Sequence, residues 1–96
     1  MPKFDVTQKI GGIPYVRYTC PGCKHEHSVN GKRWNWNGDV DKPTLSPSVR
    51  HYYTRPDGTE VTTCHYHIKA GMIEFCDDCQ HDLSSRTVEL PNCYGT

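Results

Sequence analysis

EVTTCHYHIKAGMIEFC, residues 60–76, is the stretch that decides the fold. Apolar and polar residues alternate on both sides of Ala70-Gly71, which is the pattern of two half-buried strands joined by a tight turn. With the turn at Ala70 and Gly71, Ile68 faces Ile73 and Tyr66 faces Phe75, giving one apolar side to an antiparallel pair. On that register Cys64 shares the side of Tyr66 and Ile68, while His65 and His67 point the other way.

The neighbouring segments extend this reading. SVRHYYT, residues 48–54, and RTVELP, residues 86–91, read as further strands. PTLSPSV, residues 43–49, is extended because a residue before proline is pushed toward β or polyproline geometry, and it suits a sheet edge. IPYVRYT, from Ile13 to Thr19, is a half-buried strand that runs into Cys20-Pro-Gly-Cys23, and HSVN leaves that knuckle as the return strand of a hairpin. Gly and Pro interrupt nearly every window, and no segment keeps helical spacing for three turns. The expected fold is a mostly β, small, single-domain antiparallel structure over residues 1–96, with little or no helix and with residues 1–12 and 92–96 loosely ordered.

A chain of 96 residues, 34% of them hydrophobic, has a thin core. Such domains usually add disulfides or a metal. Six cysteines are interspersed with six histidines, and the N-terminal MPKFDVTQKI lacks the apolar run of a signal peptide. A cytoplasmic setting and metal ligation therefore fit better than disulfides. No stretch approaches the ~20 apolar residues of a membrane span. Lysine plus arginine and aspartate plus glutamate number 11 each, so the zero net charge disfavours generic nucleic-acid binding.

Zinc suits thiolate and imidazole ligands and closes a structural site with four of them. Cys20 and Cys23 supply one half. For the second half, spacing offers Cys76 and Cys79 in CDDCQH, although the 52 residues between the two pairs exceed the usual zinc-ribbon interval. A competing set takes Cys64 and His81 and leaves Cys76 as an ordinary strand residue. Cys93 reads as a free thiol. His27, four residues past Cys23, is close enough to be a ligand or a hydrogen-bond partner of one; His25, His51 and His67 read as exposed imidazoles at strand ends.

The ordered run of CPGC with His27, WNWNGD, PTLSPSV, Cys64-His65, Gly71-x-Ile73-x-Phe75, Asp78-Cys79-x-His81 and TVELP resembles a family of small phage and prophage proteins, some of which carry an ammonia monooxygenase label. The resemblance spans roughly residues 15–91. It implies a zinc site of Cys20, Cys23, Cys64 and His81, with His65 or Cys79 as replacements; spacing alone keeps Cys76 and His27 in reserve. Tyr66-His67 and Ser84–Arg86 depart from that family's pattern.

Trp34, Trp36, Asn37 and Asp39 form a possible binding surface, since tryptophan is enriched at binding hot spots. Core packing of the tryptophans and an Asn-Gly turn account for the same residues. Thr44, Ser46 and Ser48 lack a glycine-framed elbow, and hydroxyls beside prolines more often close local turns, so no catalytic residue is assigned. The favoured expectation is a non-catalytic protein-interaction module of phage or prophage origin, held by one or more zinc ions and binding a protein partner. Two others stand beside it: a zinc hydrolase with an open metal position and Asp78, Glu74 or His65 as base, and a nucleic-acid module using Lys32, Arg33 and the tryptophans.

Overall fold

The computed structural model describes residues 2–8, 12 and 14–93. Eight strands run in order: β1 (Asp5–Gln8), β2 (Pro14–Cys20), β3 (His25–Asn30), β4 (Asn35–Trp36), β5 (Leu45–Thr54), β6 (Glu60–Lys69), β7 (Met72–Phe75) and β8 (Thr87–Glu89). They form two antiparallel sheets, β1-β2-β3 and β4-β5-β6-β7-β8. No helix occurs among the described residues, so the mostly β expectation holds. Ile13 lies outside them, as do Met1, residues 9–11 and 94–96, on which part of the expected loose ordering fell.

The β6–β7 hairpin has the register its alternation predicts, with Tyr66 opposite Phe75 and Ile68 opposite Ile73. Ala70 and Gly71 both take positive φ, at 50° and 82°, which lets a two-residue turn follow the twist of the strands. Gly71 is also buried against Lys3, where an added Cβ would meet the lysine side chain at 3.3 Å.

The inner faces of the two sheets meet through side chains. Val16, Tyr18, Cys20 and Val29 come from the small sheet, and Leu45, Val49, Cys64, Tyr66, Ile68, Ile73 and Phe75 from the large one. Phe4 stacks on Tyr18 with ring centroids 5.1 Å apart. At the centre the Tyr18 and Tyr66 hydroxyls are 2.6 Å apart, and Tyr66 also bonds His51 Nε2 at 2.9 Å. Buried hydroxyls need such partners, because an unmade hydrogen bond there costs more than a made one gains.

One strand departs from expectation. β5 lies between β4 and β6 rather than at an edge. Its pairing with β4 is confined to Leu45 and Ser46, so Pro47, with no N–H to donate, falls just past the end of that short ladder. Against β6 the register of β5 slips between Leu45 and Val49, with two extra residues on β5. Ser48 sits in this irregularity, a kind of feature that often re-aims side chains beside active sites.

Candidate functional site: a serine, histidine and aspartate beside a thiol cluster

Arg50 pairs with His65 across β5 and β6, so their side chains share the outer face of the large sheet. Ser48, two residues before Arg50, lies on that same face diagonally from His65. The Ser48 hydroxyl is 3.0 Å from His65 Nε2. On the far side of the ring, His65 Nδ1 lies 3.2 Å and 3.3 Å from the two carboxylate oxygens of Asp78, in the loop that follows β7. Nucleophile, base and orienting carboxylate thus stand in line, the arrangement that activates a serine hydroxyl.

The backbone of His65 is clamped from the same loop. Its N–H donates to Cys79 Sγ at 3.2 Å, and the Cys79 thiol donates to its carbonyl at 3.1 Å. Cys76 N–H donates to that carbonyl at 2.9 Å. Next to Ser48, the Trp34 indole N–H donates to the Ser48 carbonyl at 3.3 Å. A cleft of about 460 Å³ lies near by, with Tyr15, Arg33, Trp34, Val49 and Arg50 among its walls but not Ser48, His65 or Asp78.

On the opposite face of β6 the Cys/His residues gather. Ligand atoms of Cys20, Cys23, His27 and Cys64 lie within 4.8 Å of one another, and those of Cys64, Cys79 and His81 form an adjoining group. Cys20 Sγ is 3.9 Å from Cys64 Sγ, which is 3.4 Å from His81 Nε2. The Cys23 N–H turns toward Cys20 Sγ at 3.4 Å, as a knuckle requires. The Cys64 thiol donates to Cys20 and holds it down to about 3, while burial pushes Cys23 up to about 11. Three thiols this close cannot all ionise without a cation among them. These clustered residues could hold a metal ion.

Two imidazoles compete to finish that cluster. His27 is buried beside Cys20, its ring stacked on His51 at 3.8 Å, and its Nε2 meets no partner at hydrogen-bonding geometry among the described residues. His81 packs over the knuckle, so closely that a Cβ on Gly22 would stand 2.2 Å from its ring. Its Nδ1 accepts the Leu83 N–H at 3.2 Å. An imidazole accepting at Nδ1 carries its proton on Nε2 and donates to Cys64 rather than ligating through that nitrogen.

The other singled-out residues are accounted for locally. Trp36 donates to the Asp39 carbonyl at 3.2 Å, and both tryptophans pack against the core. Asn37 Oδ1 accepts the N–H groups of Asp39 and Thr44, and Asp39 accepts those of Asp41 and Lys42. Thr44 accepts the Ala70 N–H at 2.9 Å. His51 is half-buried, not exposed, and burial pushes its pKa down to about 4. Sequence reasoning weighed Ser48 and set it aside; no glycine frames it, and His65 is reached only through the cross-strand register.

A small β domain with a strand-borne Ser-His-Asp arrangement and a separate thiol cluster has the outline of a serine hydrolase with a structural metal site. The family model described as bacterial ubiquitination-like system serine protease (BubE) matches residues 3–76, and the chain belongs to that family. The matched span holds Ser48 and His65 and stops two residues before Asp78. No curated protein and no solved structure matches the chain. The expectation of a non-catalytic interaction module is thereby overturned by a family named for serine proteolysis. The zinc-hydrolase and nucleic-acid alternatives fall with it, and His65 and Asp78 face a serine instead of serving as bases to a metal-bound water. No helix among the described residues is long and apolar enough to cross a membrane.

Proposed function

We propose that this chain is a serine protease of a bacterial ubiquitination-like system, with Ser48 as nucleophile, His65 as general base and acid, and Asp78 as the group that orients His65. The observation that carries the reading is the line from Ser48 Oγ to His65 Nε2 at 3.0 Å and from His65 Nδ1 to Asp78 at 3.2 Å.

Asp78 accepts the Nδ1 proton, which leaves the Nε2 lone pair facing Ser48. As Ser48 Oγ attacks a substrate carbonyl carbon, its proton passes to Nε2; His65 then gives that proton to the departing amine as the carbon–nitrogen bond breaks. Water, deprotonated by the same Nε2, cleaves the acyl-serine ester and restores the hydroxyl. The cleft bounded by Arg33, Trp34 and Arg50 is not lined by Ser48, His65 or Asp78; it begins at Val49, next to Ser48 in sequence, and offers a place for a part of the substrate chain away from the bond that is cut. The proposed substrate class is a protein carrying a peptide or isopeptide bond made in such a ubiquitination-like system, a reading that the family name supports, and the proposed setting is the bacterial cytoplasm.

The thiol cluster has a different task. Zinc is the metal that its soft, tetrahedral donor set suits, with Cys20, Cys23 and Cys64 as three ligands and His27 Nε2 as the fourth. Such a closed site contributes folding free energy and leaves no position for substrate.

Labelling with a fluorophosphonate probe tests the reading. Ser48→Ala should abolish labelling of the purified protein, while Ser46→Ala should label as the parent does. Equal labelling of Ser48→Ala and the parent would refute the assignment of Ser48.

A further inference from the structure

Cys76 has no part in the proposed chemistry, yet its position is tightly set. Its N–H is bonded to the His65 carbonyl at 2.9 Å. Its own carbonyl accepts the Ser84 hydroxyl at 3.2 Å and the Ser85 N–H at 3.3 Å. Ligand atoms of Cys76, His65 and Asp78 lie within 4.8 Å of one another. The nitrogen of His65 that faces Asp78 is Nδ1. Solvent reaches the group, since the His65 and Asp78 side chains are 26% and 43% exposed. Asp77 and Glu74 are close enough to bear on the Cys76 thiol electrostatically and add negative charge around it.

We propose that His65 Nδ1, Cys76 Sγ and a carboxylate oxygen of Asp78 form a second zinc site, separate from the thiol cluster, whose occupancy switches the protease off. The proposal rests on the Ser48-His65-Asp78 reading. One thiolate, one imidazole and one carboxylate are each established zinc donors, and a tetrahedral ion with ligand bonds of about 2.0–2.3 Å would draw the three together over about an ångström. Water fills the fourth position.

The inhibition follows from proton placement. A working base needs its proton on Nδ1, held by Asp78, and a lone pair on Nε2. Zinc at Nδ1 displaces that proton and engages Asp78. Nε2 takes up a proton from solvent, so that the ring stays neutral in its other tautomer, and the Cys76 thiol releases its proton to solvent as it becomes the thiolate ligand. A neutral imidazole bound through Nδ1 carries its one proton on Nε2, so it cannot accept the proton of Ser48. The bound form holds the right residues in the wrong tautomer. Affinity is lower than at the thiol cluster, because three partly exposed mixed ligands replace four mostly buried ones.

The test uses the full chain with its first metal in place, titrated with buffered free Zn²⁺. Bound zinc is read by equilibrium dialysis, and Ser48 reactivity by the rate of fluorophosphonate labelling. A second zinc equivalent should bind, and labelling should fall in step with its occupancy. Cys76→Val and Cys76→Ser should label as the parent does without added zinc, and both should need at least about tenfold more zinc for inhibition. Two independent replacements guard against a folding defect in either one.

Absence of a second equivalent would overturn the site, as would equal zinc sensitivity in the parent and both Cys76 variants. A second equivalent that leaves labelling unchanged would overturn the inhibitory role. Lack of Ser48 labelling even without free zinc would instead sink the protease reading and the switch with it, while dialysis on the Cys76 variants would still decide the metal site.

Discussion

Cys64 and His65 are adjacent on β6 and point to opposite faces, the Cys64 thiol 3.9 Å from Cys20 and the His65 ring 3.0 Å from Ser48. The loop after β7 has the same double allegiance: Asp78 bonds His65, while His81 lies 3.4 Å from Cys64. The thiol cluster and the Ser48-His65-Asp78 line thus share β6 and both touch the loop after β7. A metal held by Cys20, Cys23, His27 and Cys64 would take no part in proton transfer, yet it would tie β6, the strand that carries His65, to β2 and β3.

Metal removal should therefore silence Ser48 by loosening its partners. Stripping the protein with a strong chelator should lower its melting temperature and abolish fluorophosphonate labelling together, and added Zn²⁺ should restore both. Cys20→Ser should reproduce the stripped state. Full labelling by a metal-free protein that melts at the parent temperature would show that the cluster supports neither fold nor site.

The orienting role of Asp78 is separable from its charge. Asp78→Asn keeps the size of the side chain but offers the His65 ring an amide that can hold the wrong tautomer. Labelling should slow by about 10⁴-fold, the scale seen when a triad aspartate is so replaced in the chymotrypsin template. The melting temperature should stay close to that of the parent, because Asp78 is exposed. A rate within a few-fold of the parent would remove Asp78 from the triad.

Cys79 grips both backbone groups of His65. It is a positioning residue. Cys79→Ala should leave Ser48 in place but let the His65 backbone shift, slowing labelling by about 10²-fold, the effect of roughly an ångström of misplacement. Cys79→Ser, which can still donate and accept, should recover most of the rate. If Cys79→Ser is as slow as Cys79→Ala, the thiol acts otherwise, for instance through the neighbouring metal.

The strands were legible because alternation is a local signal. Tyr66, Ile68, Ile73 and Phe75 announce their pairing within 17 residues of sequence. Cys20 and Cys23 were legible for the same reason, since a knuckle is contained in four residues. Ser48 was not, because what sets it against an imidazole is a register slip in β5 and a histidine 17 positions away on another strand. His65 and Asp78 were noticed for their chemistry but given to a metal, because a serine flanked by Pro47 and Val49 carries no local mark of activation. Pro47 likewise signalled an edge, and only the two-residue length of β4 reconciles it with an inner strand.

The buried hydroxyl pair makes a stability prediction independent of the site. Tyr66 OH lies 2.6 Å from Tyr18 OH and 2.9 Å from His51 Nε2. Tyr66→Phe removes the shared partner and leaves the Tyr18 hydroxyl buried without it, which should cost about 1–3 kcal/mol. For a domain of this size each kcal/mol corresponds to a melting shift of about 4–8 °C. Changing both residues to phenylalanine should restore part of the loss, because the fully buried Tyr18 hydroxyl is then no longer orphaned and only the half-buried His51 Nε2 lacks its partner. A double variant that melts below Tyr66→Phe would argue that the hydroxyls support more than each other.

The fourth ligand of the cluster can be decided by metal content. His27 offers a buried Nε2 with no other partner, whereas His81 spends its Nδ1 lone pair on the Leu83 N–H. His27→Ala should therefore lose zinc, and His81→Ala should keep it while melting at a lower temperature. Gly22→Ala adds a third arm: its Cβ would stand 2.2 Å from the His81 ring and must turn that ring away. With His27 as ligand, Gly22→Ala retains one zinc per chain. With His81 as ligand, it loses that zinc along with His81→Ala, and the set reverts to Cys20, Cys23, Cys64 and His81.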